Sequence, residues 1–433
     1  MSRKTRNDRE HSRSRGADRR SFLKASAATL GAAALVGRLP AEVRAGKEKR
    51  RRRMNPVLVT LFLRGGADAL SLVAPTGDTV HYPALRGSAA IPPPGSGLPG
   101  EGLAMDATFS MHPLLAGLHA GYAATGSTFA VIHAVGAVPY DRSHFESQDL
   151  FETGGLTGQF SDGWINRHLV ATASPSDPPV RALALRSSLP RILAGGYPTY
   201  AVKSIADLSF LATQPDIRST LEPIVDLTPT GGMPTARQTM YQSMSDTFDL
   251  IDHFAGIDPS AYVPANGATY PQTPLGEQLA ETAQLIKANL GLEFIHVDMG
   301  GWDHHNDLVN ELSTYVPMLD QALSAFLQDM GALMSDVVVL VMSEFGREAA
   351  LNGSQGADHG VGGVMFAIGG AVQGGQVHGA WPGLAPGALE AGRFLAPAND
   401  FRDVCLEILE DHMGGTLPAS VFPGHAYSPL GLI

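Results

Sequence analysis

Two segments concentrate the side chains that hold metals or move protons. Met299–Asn306 reads MGGWDHHN and places Asp303, His304 and His305 in succession, while Ser343–His359 carries Ser343, Glu344 and Arg347 and then Asp358 and His359. Carboxylates mixed with neutral imidazoles suit zinc, manganese or iron, whereas an all-oxygen set points to magnesium or calcium. The candidate ligands are Asp68, Asp303, His305, Glu344, Asp358 and His359, enough for one or two divalent ions. A third segment, Val138–Glu146, reads VPYDRSHFE and sets Arg142, Ser143 and His144 side by side. Ser143 stands three residues before Glu146, the spacing of a capping box. The same place at a helix start, with free N–H groups and a positive dipole end, suits a hydroxyl nucleophile acting on a phosphate or sulfate ester. Both readings of Ser143 stay open, and Arg142 and Arg347 are candidates for stabilising equatorial charge.

The elements that must position these residues are strands. Val337–Met342 is an unbroken aliphatic run emptying into a polar loop, the pattern of a central parallel strand covered on both faces. Leu292–Asp298 (LEFIHVD) and Val57–Leu63 (VLVTLFL) end in the same manner, the second running into Arg64-Gly65-Gly66-Ala67-Asp68. Ligands bind outside the carboxyl ends of such strands, so three strand ends are expected to converge on one site. Asp68 could equally cap a turn or helix beginning near Ala69. Further along, the patterns predict a helix over His112–Ala123, a strand over Thr128–Val135, a helix from Trp164, a strand over Val180–Leu185 and a helix over Leu275–Leu290 closed by Gly291. The sequence predicts an α/β fold, a doubly wound, mostly parallel sheet with helices on both faces and a helical insertion over about 205–290. Residues 205–255 are mostly helical by periodicity, with breaks near 215 and 229–234.

The first 45 residues differ from the rest. Asp18-Arg19-Arg20-Ser21-Phe22-Leu23-Lys24 joins a twin-arginine pair to an apolar dipeptide, an alanine-rich stretch follows to Val36, and small residues lead to Ala45. This reads as a twin-arginine signal peptide over 1–45, which implies the translocase as partner and a periplasmic or extracellular destination. Its apolar run is short of the roughly 20 residues a membrane span requires. A basic linker, 46–55, precedes a domain at 56–433. The leader takes 11 of the 31 Lys and Arg residues and 4 of the 42 Asp and Glu residues, leaving the remainder with a net charge of −18. So acidic a body repels nucleic acid, and an anionic substrate needs local positive charge from arginines or metal. Cys405 is the only cysteine, so no intramolecular disulfide forms and the core must supply stability.

The segments FLRGGADALS, RSHFESQDLFETG, GWDHHND and MSEFGREAALNGSQGADHGVGG, together with the leader, resemble the exported bacterial family called domain of unknown function 1501. That family is grouped with the alkaline phosphatase-like superfamily, which includes sulfatases and cofactor-independent phosphoglycerate mutases. The resemblance implies a two-metal centre at the strand ends. By position, Asp68 looks like the aspartate of the first strand shared with a second metal, and Ser143 resembles the nucleophile. Asp303, His305 and His359 look like ligands of the first metal, and Glu344 stands where the superfamily has an aspartate. The chain departs from the pattern at Glu344-Phe345, where many members have Asp-His, and His304 replaces a usual threonine.

The expectation is an exported metal-dependent hydrolase of small anionic phosphate or sulfate esters, using a seryl nucleophile or metal-activated water, with Arg142, Ser143, His144 and Arg347 as catalytic candidates. The alternative is a non-catalytic exported protein of the same fold that binds a cell-envelope partner.

Overall fold

Val57–Leu63 forms a strand whose alternate side chains feed two different cores. Val57, Val59, Leu61 and Leu63 pack into one buried cluster, and Leu58 and Phe62 into another. A strand apolar on both faces must sit inside a sheet covered on both sides. The computed structural model describes residues 54–212, 219, 235–415 and 419–433. The expected leader, most of the basic linker and the breaks expected near 215 and 229–234 lie outside the described residues. Residues 54–433 cluster as one unit.

The main sheet comprises β1 (Val57–Leu63), β2 (Phe129–Gly136), β3 (Ala182–Leu185), β4 (Tyr200–Val202), β5 (Phe294–Met299), β6 (Val337–Met342), β7 (Gly363–Gly369), β8 (Val377–His378) and β9 (Asn399–Asp400). Its order is β8-β2-β7-β6-β1-β5-β3-β4, with β9 beside β2. Only β7 runs against the rest, pairing antiparallel with both β2 and β6. The protein is therefore mixed α/β with a mostly parallel central sheet. The central register is tight, Leu58 standing between Phe294 and Val338 and Phe62 between Asp298 and Met342.

Ten helices flank the sheet among the described residues: α1 (Ala69–Leu72), α2 (His81–Arg86), α3 (Ala116–Tyr122), α4 (His144–Thr153), α5 (Trp164–Ala171), α6 (Ile205–Ala212), α7 (Thr235–Phe254), α8 (Pro274–Ala288), α9 (Leu308–Met330) and α10 (Phe401–Glu407). Helices α3, α8 and α9 cover one face, with Leu118, Leu279 and Leu319 in the first core. Helices α4, α5 and α10 cover the other through Phe151, Trp164 and Phe401. Several expected boundaries move. Helix α3 begins at Ala116 because the Nδ1 of His112 instead accepts the Leu114 N–H in a turn at 3.1 Å. Helix α8 ends at Ala288 with Asn289 left-handed, two residues before the expected Gly291.

The topology places the chemistry. Strands β1, β5 and β6 are adjacent and parallel, and β2, two reversals away, points the same way. Four carboxyl ends thus open on one edge, bringing 64–68, 300–305, 343–347 and 137–144 together. Gly65, at φ +121°, permits the approach of the β1 and β5 loops, since a Cβ there would lie 2.6 Å from the Asp303 nitrogen.

Candidate metal centre

Arg347 draws the loops together. Its side chain is fully buried, and its guanidinium donates to the carbonyls of Gly66 (2.7 Å), Ala357 (2.9 Å), Trp302 (3.0 Å) and Gly65, and to Asp303 Oδ1 at 2.6 Å. All three guanidinium nitrogens are engaged by the surrounding loops, and the residue is 1 % exposed. Arg347, expected to stabilise charge on a substrate, is instead a positioning residue that fixes Asp303.

Around that carboxylate oxygen stand three imidazoles. Asp303 Oδ1 lies 3.0 Å from His305 Nε2, 3.3 Å from His359 Nε2 and 3.4 Å from His144 Nε2. Each ring is held from behind at Nδ1: His144 by Glu344 Oε1 (2.9 Å), His305 by Asp358 Oδ1 (2.8 Å) and His359 by the Arg142 carbonyl (2.7 Å). Carboxylates and carbonyls only accept, so each Nδ1 carries a proton, and with that tautomer in its neutral form each ring has its lone pair at Nε2, facing Asp303. The consequence is electrostatic. His305 Nε2 and His359 Nε2 are 2.9 Å apart, and His144 Nε2 is buried with no hydrogen-bond partner. Lone pairs facing one another beside a carboxylate repel unless a cation lies among them, so the donor set fits a divalent ion of nitrogen-preferring type. His144, Asp303 and His359 form a group whose ligand atoms all lie within 4.8 Å of one another.

The charge states follow the same geometry. Burial opposes ionisation of Asp303, yet the Arg347 hydrogen bond and charge, then His305 and His144, hold its carboxyl at about 2. The Glu344 hydrogen bond, against burial, raises the His144 imidazole above its ordinary value. Burial lowers His359, although its bond to the Arg142 carbonyl opposes this. The His305 hydrogen bond, followed by that from Asn352, lowers Asp358.

The expected ligands therefore divide. Asp303, His305 and His359 come together at the centre. Glu344, expected as a ligand, instead stands behind His144: its Oε1 accepts from the Gly65 N–H (2.9 Å), His144 and Gln148 (3.1 Å), and it is 1 % exposed. Asp358 likewise stands behind His305. Asp68 is not part of the cluster. It caps α1, accepting from the Leu70 N–H at 3.1 Å and the Ser71 hydroxyl at 3.2 Å, and pairs with buried Arg86. His144 Nε2, and not the Glu344 carboxylate, faces Asp303 Oδ1 at 3.4 Å. Its sequence signal is the i, i+4 pair His144 and Gln148 at the start of α4, both reaching Glu344. Phe345 packs its ring 5.0 Å from that of His144 and 4.8 Å from that of His359.

Beside the centre lies a cavity of about 530 Å³ lined by Tyr140, Asp141, Arg142, Ser143, His305, Asp358 and His359, with Asp141 Oδ1 accepting from the Ser143 N–H at 2.5 Å. Ser143 occupies the N-cap position of α4 but its side chain makes no capping bond. Arg142 is exposed, lies 4.6 Å over the Phe394 ring and donates to the His359 carbonyl at 3.3 Å.

The model of the family described as Protein of unknown function (DUF1501) matches residues 214–412, a segment that holds Asp303, His305, Glu344, Arg347, Asp358 and His359. No curated protein matches the chain. Among solved structures, a sulfatase from Pseudoalteromonas sp., PsFucS1, is similar at 13% identity with a TM-score of 0.35, over 87% of this chain and 70% of that one.

Proposed function

We propose that this chain is a metal-dependent hydrolase of phosphate or sulfate monoesters, with one divalent ion held by His144, Asp303, His305 and His359. One observation carries the reading: three imidazoles, each fixed at Nδ1 by an acceptor, aim Nε2 at a single carboxylate oxygen. An ion there supplies positive charge against the charge that develops on a transferring phosphoryl or sulfuryl group. The chain's own residues do the rest. Arg142 offers a guanidinium at the mouth of the cavity to the non-bridging oxygens. Ser143 presents an uncommitted hydroxyl beside the first N–H groups of α4, where an attacking oxygen and the anion around it are both favoured. Glu344, Asp358 and Arg347 hold the rings and the carboxylate in place and keep their tautomers.

The alkaline phosphatase-like assignment of the fold and export through the twin-arginine translocase belong to the same reading, supported by the sequence resemblance and by Asp18–Lys24. Phe345 favours one alternative, a non-catalytic binding protein, because a phenyl ring stands where a ligand is usual. The deciding experiment measures metal by elemental analysis in protein purified without chelator, then ester turnover. About one equivalent, lost in His359→Ala, with turnover lost in Ser143→Ala at unchanged metal content, supports the hydrolase. Metal without turnover of any phosphate or sulfate ester favours the binding protein, and no metal after loading overturns the centre.

A further inference from the structure

His144, Gln148 and Glu152 follow one another at successive turns of α4 and form one stripe of that helix, committed to the strand ends. His144 Nδ1 and Gln148 Nε2 both donate to Glu344 Oε1, at 2.9 and 3.1 Å. Gln148 Oε1 and Glu152 Oε1 both accept from Arg64 Nη1, at 3.2 and 2.5 Å. Arg64 is itself fixed. Its Nε donates to Asp298 Oδ1 at 2.8 Å, and its guanidinium lies 4.0 Å from the centre of the Phe62 ring. Arg186 holds the other oxygen of Asp298, and the Ile192 N–H holds the other oxygen of Glu152. Two arginines thus meet two carboxylates, and the cluster balances its charge without drawing on Glu344.

The Gln148 amide can sit only one way round. A guanidinium has donors and no acceptor, so the amide oxygen must face Arg64 and the NH2 must face Glu344. An ionised glutamate in its place could still accept from Arg64 but would offer Glu344 nothing. Glu344 is 1 % exposed, so water does not replace a donor lost there. The main chain of Arg64 serves the other half of the centre. Its N–H donates to the Met299 carbonyl at 2.8 Å, and its carbonyl accepts from the Trp302 N–H at 3.1 Å, immediately before Asp303. One residue therefore touches both the loop that brings Asp303 and the helix that brings His144.

We infer that Arg64 and Gln148 are positioning residues that set the reach of His144 toward Asp303, Gln148 being the joint through which Arg64 keeps Glu344 turned to the His144 ring. The consequence for an ion rests on the proposed metal centre; the hold on the ring does not.

Two variants test the joint. Gln148→Met removes both polar groups at similar length, and Gln148→Asn keeps the amide but draws it back by one methylene. The first measurement is nuclear magnetic resonance of metal-free protein carrying 15N-labelled histidine. The His144 Nδ1–H, assigned by its absence from His144→Gln, is expected as a protected ring signal in the parent and is lost in both variants. The ring N–H of His133, buried against the Val73 carbonyl, persists in all of them and reports that the fold is intact. The second measurement is zinc affinity by competition with a chelator, expected to fall at least tenfold in both variants. A role confined to tying α4 into the fold would lower Tm and leave both readouts at parent values. A His144 signal retained in either variant, or a loss of affinity under tenfold, overturns the inference. If the parent takes up no zinc, the ring signal alone decides the inference and the metal centre fails separately.

Discussion

Removing the Asp68 carboxylate tests whether that residue serves the fold or the metal. Asp68 and Arg86 are 1 % and 0 % exposed, so neither charge has water to fall back on. In Asp68→Ala, Arg86 keeps only the Ser71 hydroxyl at 2.9 Å and the Glu348 carbonyl at 3.4 Å. Breaking one half of a buried pair costs about 3–5 kcal/mol, and loss of the α1 cap about 1 more. For a unit of about 380 residues the unfolding entropy is roughly 0.8 kcal/mol/K, so a loss of about 4 kcal/mol lowers Tm by about 5 °C. Asp68→Leu with Arg86→Met should lose much less than the two single changes together, because apolar replacement of both partners is often close to neutral. Calorimetry gives the Tm values, and elemental analysis of the folded protein should show unchanged metal. A Tm within 1 °C of the parent, or metal lost with the carboxylate, would refute this account and restore Asp68 as a ligand.

Glu344→Gln should weaken metal binding about 10- to 100-fold, read by competition with a chromophoric chelator, since the amide cannot hold His144 in the required tautomer as a carboxylate does. Arg347→Lys should cost about 3 kcal/mol or more in denaturant unfolding, because an ammonium cannot span carbonyls on three loops; a change under 1 kcal/mol would contradict the clasp. Stability should also fall on mild acidification. Burial pushes His112, His133 and His168 down to about 4. A folded pKa below the unfolded value of about 6.5 means that stability is complete above that pH and is lost as pH falls toward 4, about 2 kcal/mol per group at pH 5. His133 is locked neutral, its Nδ1 accepting the Ala134 N–H at 2.8 Å and its Nε2 facing the Val73 carbonyl at 2.9 Å. His133→Gln should therefore flatten the Tm profile between pH 7 and 5, and a parent profile already flat there would count against buried neutral imidazoles.

The central strands were legible because burial on both faces leaves an unbroken apolar run, as in Val57–Leu63 and Val337–Met342. Strand β7, Gly363–Gly369, carries the same kind of run in Val364–Ile368 and was missed; its antiparallel direction is set by pairing across the sheet, which the run alone does not show. At the centre, residue type and strand-end position sufficed to point to Asp303, His305 and His359. They could not show which member of a carboxylate–imidazole pair faces inward, because that depends on side-chain direction. Glu344 and Asp358 were consequently expected to face the centre, where they stand behind His144 and His305, and His144 was grouped with Ser143 as a catalytic candidate instead of with Asp303. Asp68 misled for a related reason: a carboxylate after paired glycines looks the same whether it awaits an ion or a helix, and only Arg86, 18 residues on, distinguishes the two.

The centre is built from two mechanically separate parts. Asp303, His305 and His359 ride on loops gathered by Arg347, whereas His144 arrives on α4 from beyond β7. The parts meet in a reciprocal latch, His359 Nδ1 donating to the Arg142 carbonyl and Arg142 Nη1 to that of His359. For the ion proposed above, affinity and exchange rate would be set by different residues: the clasped tripod would govern how tightly it is held, and release of the latch how fast it enters or leaves.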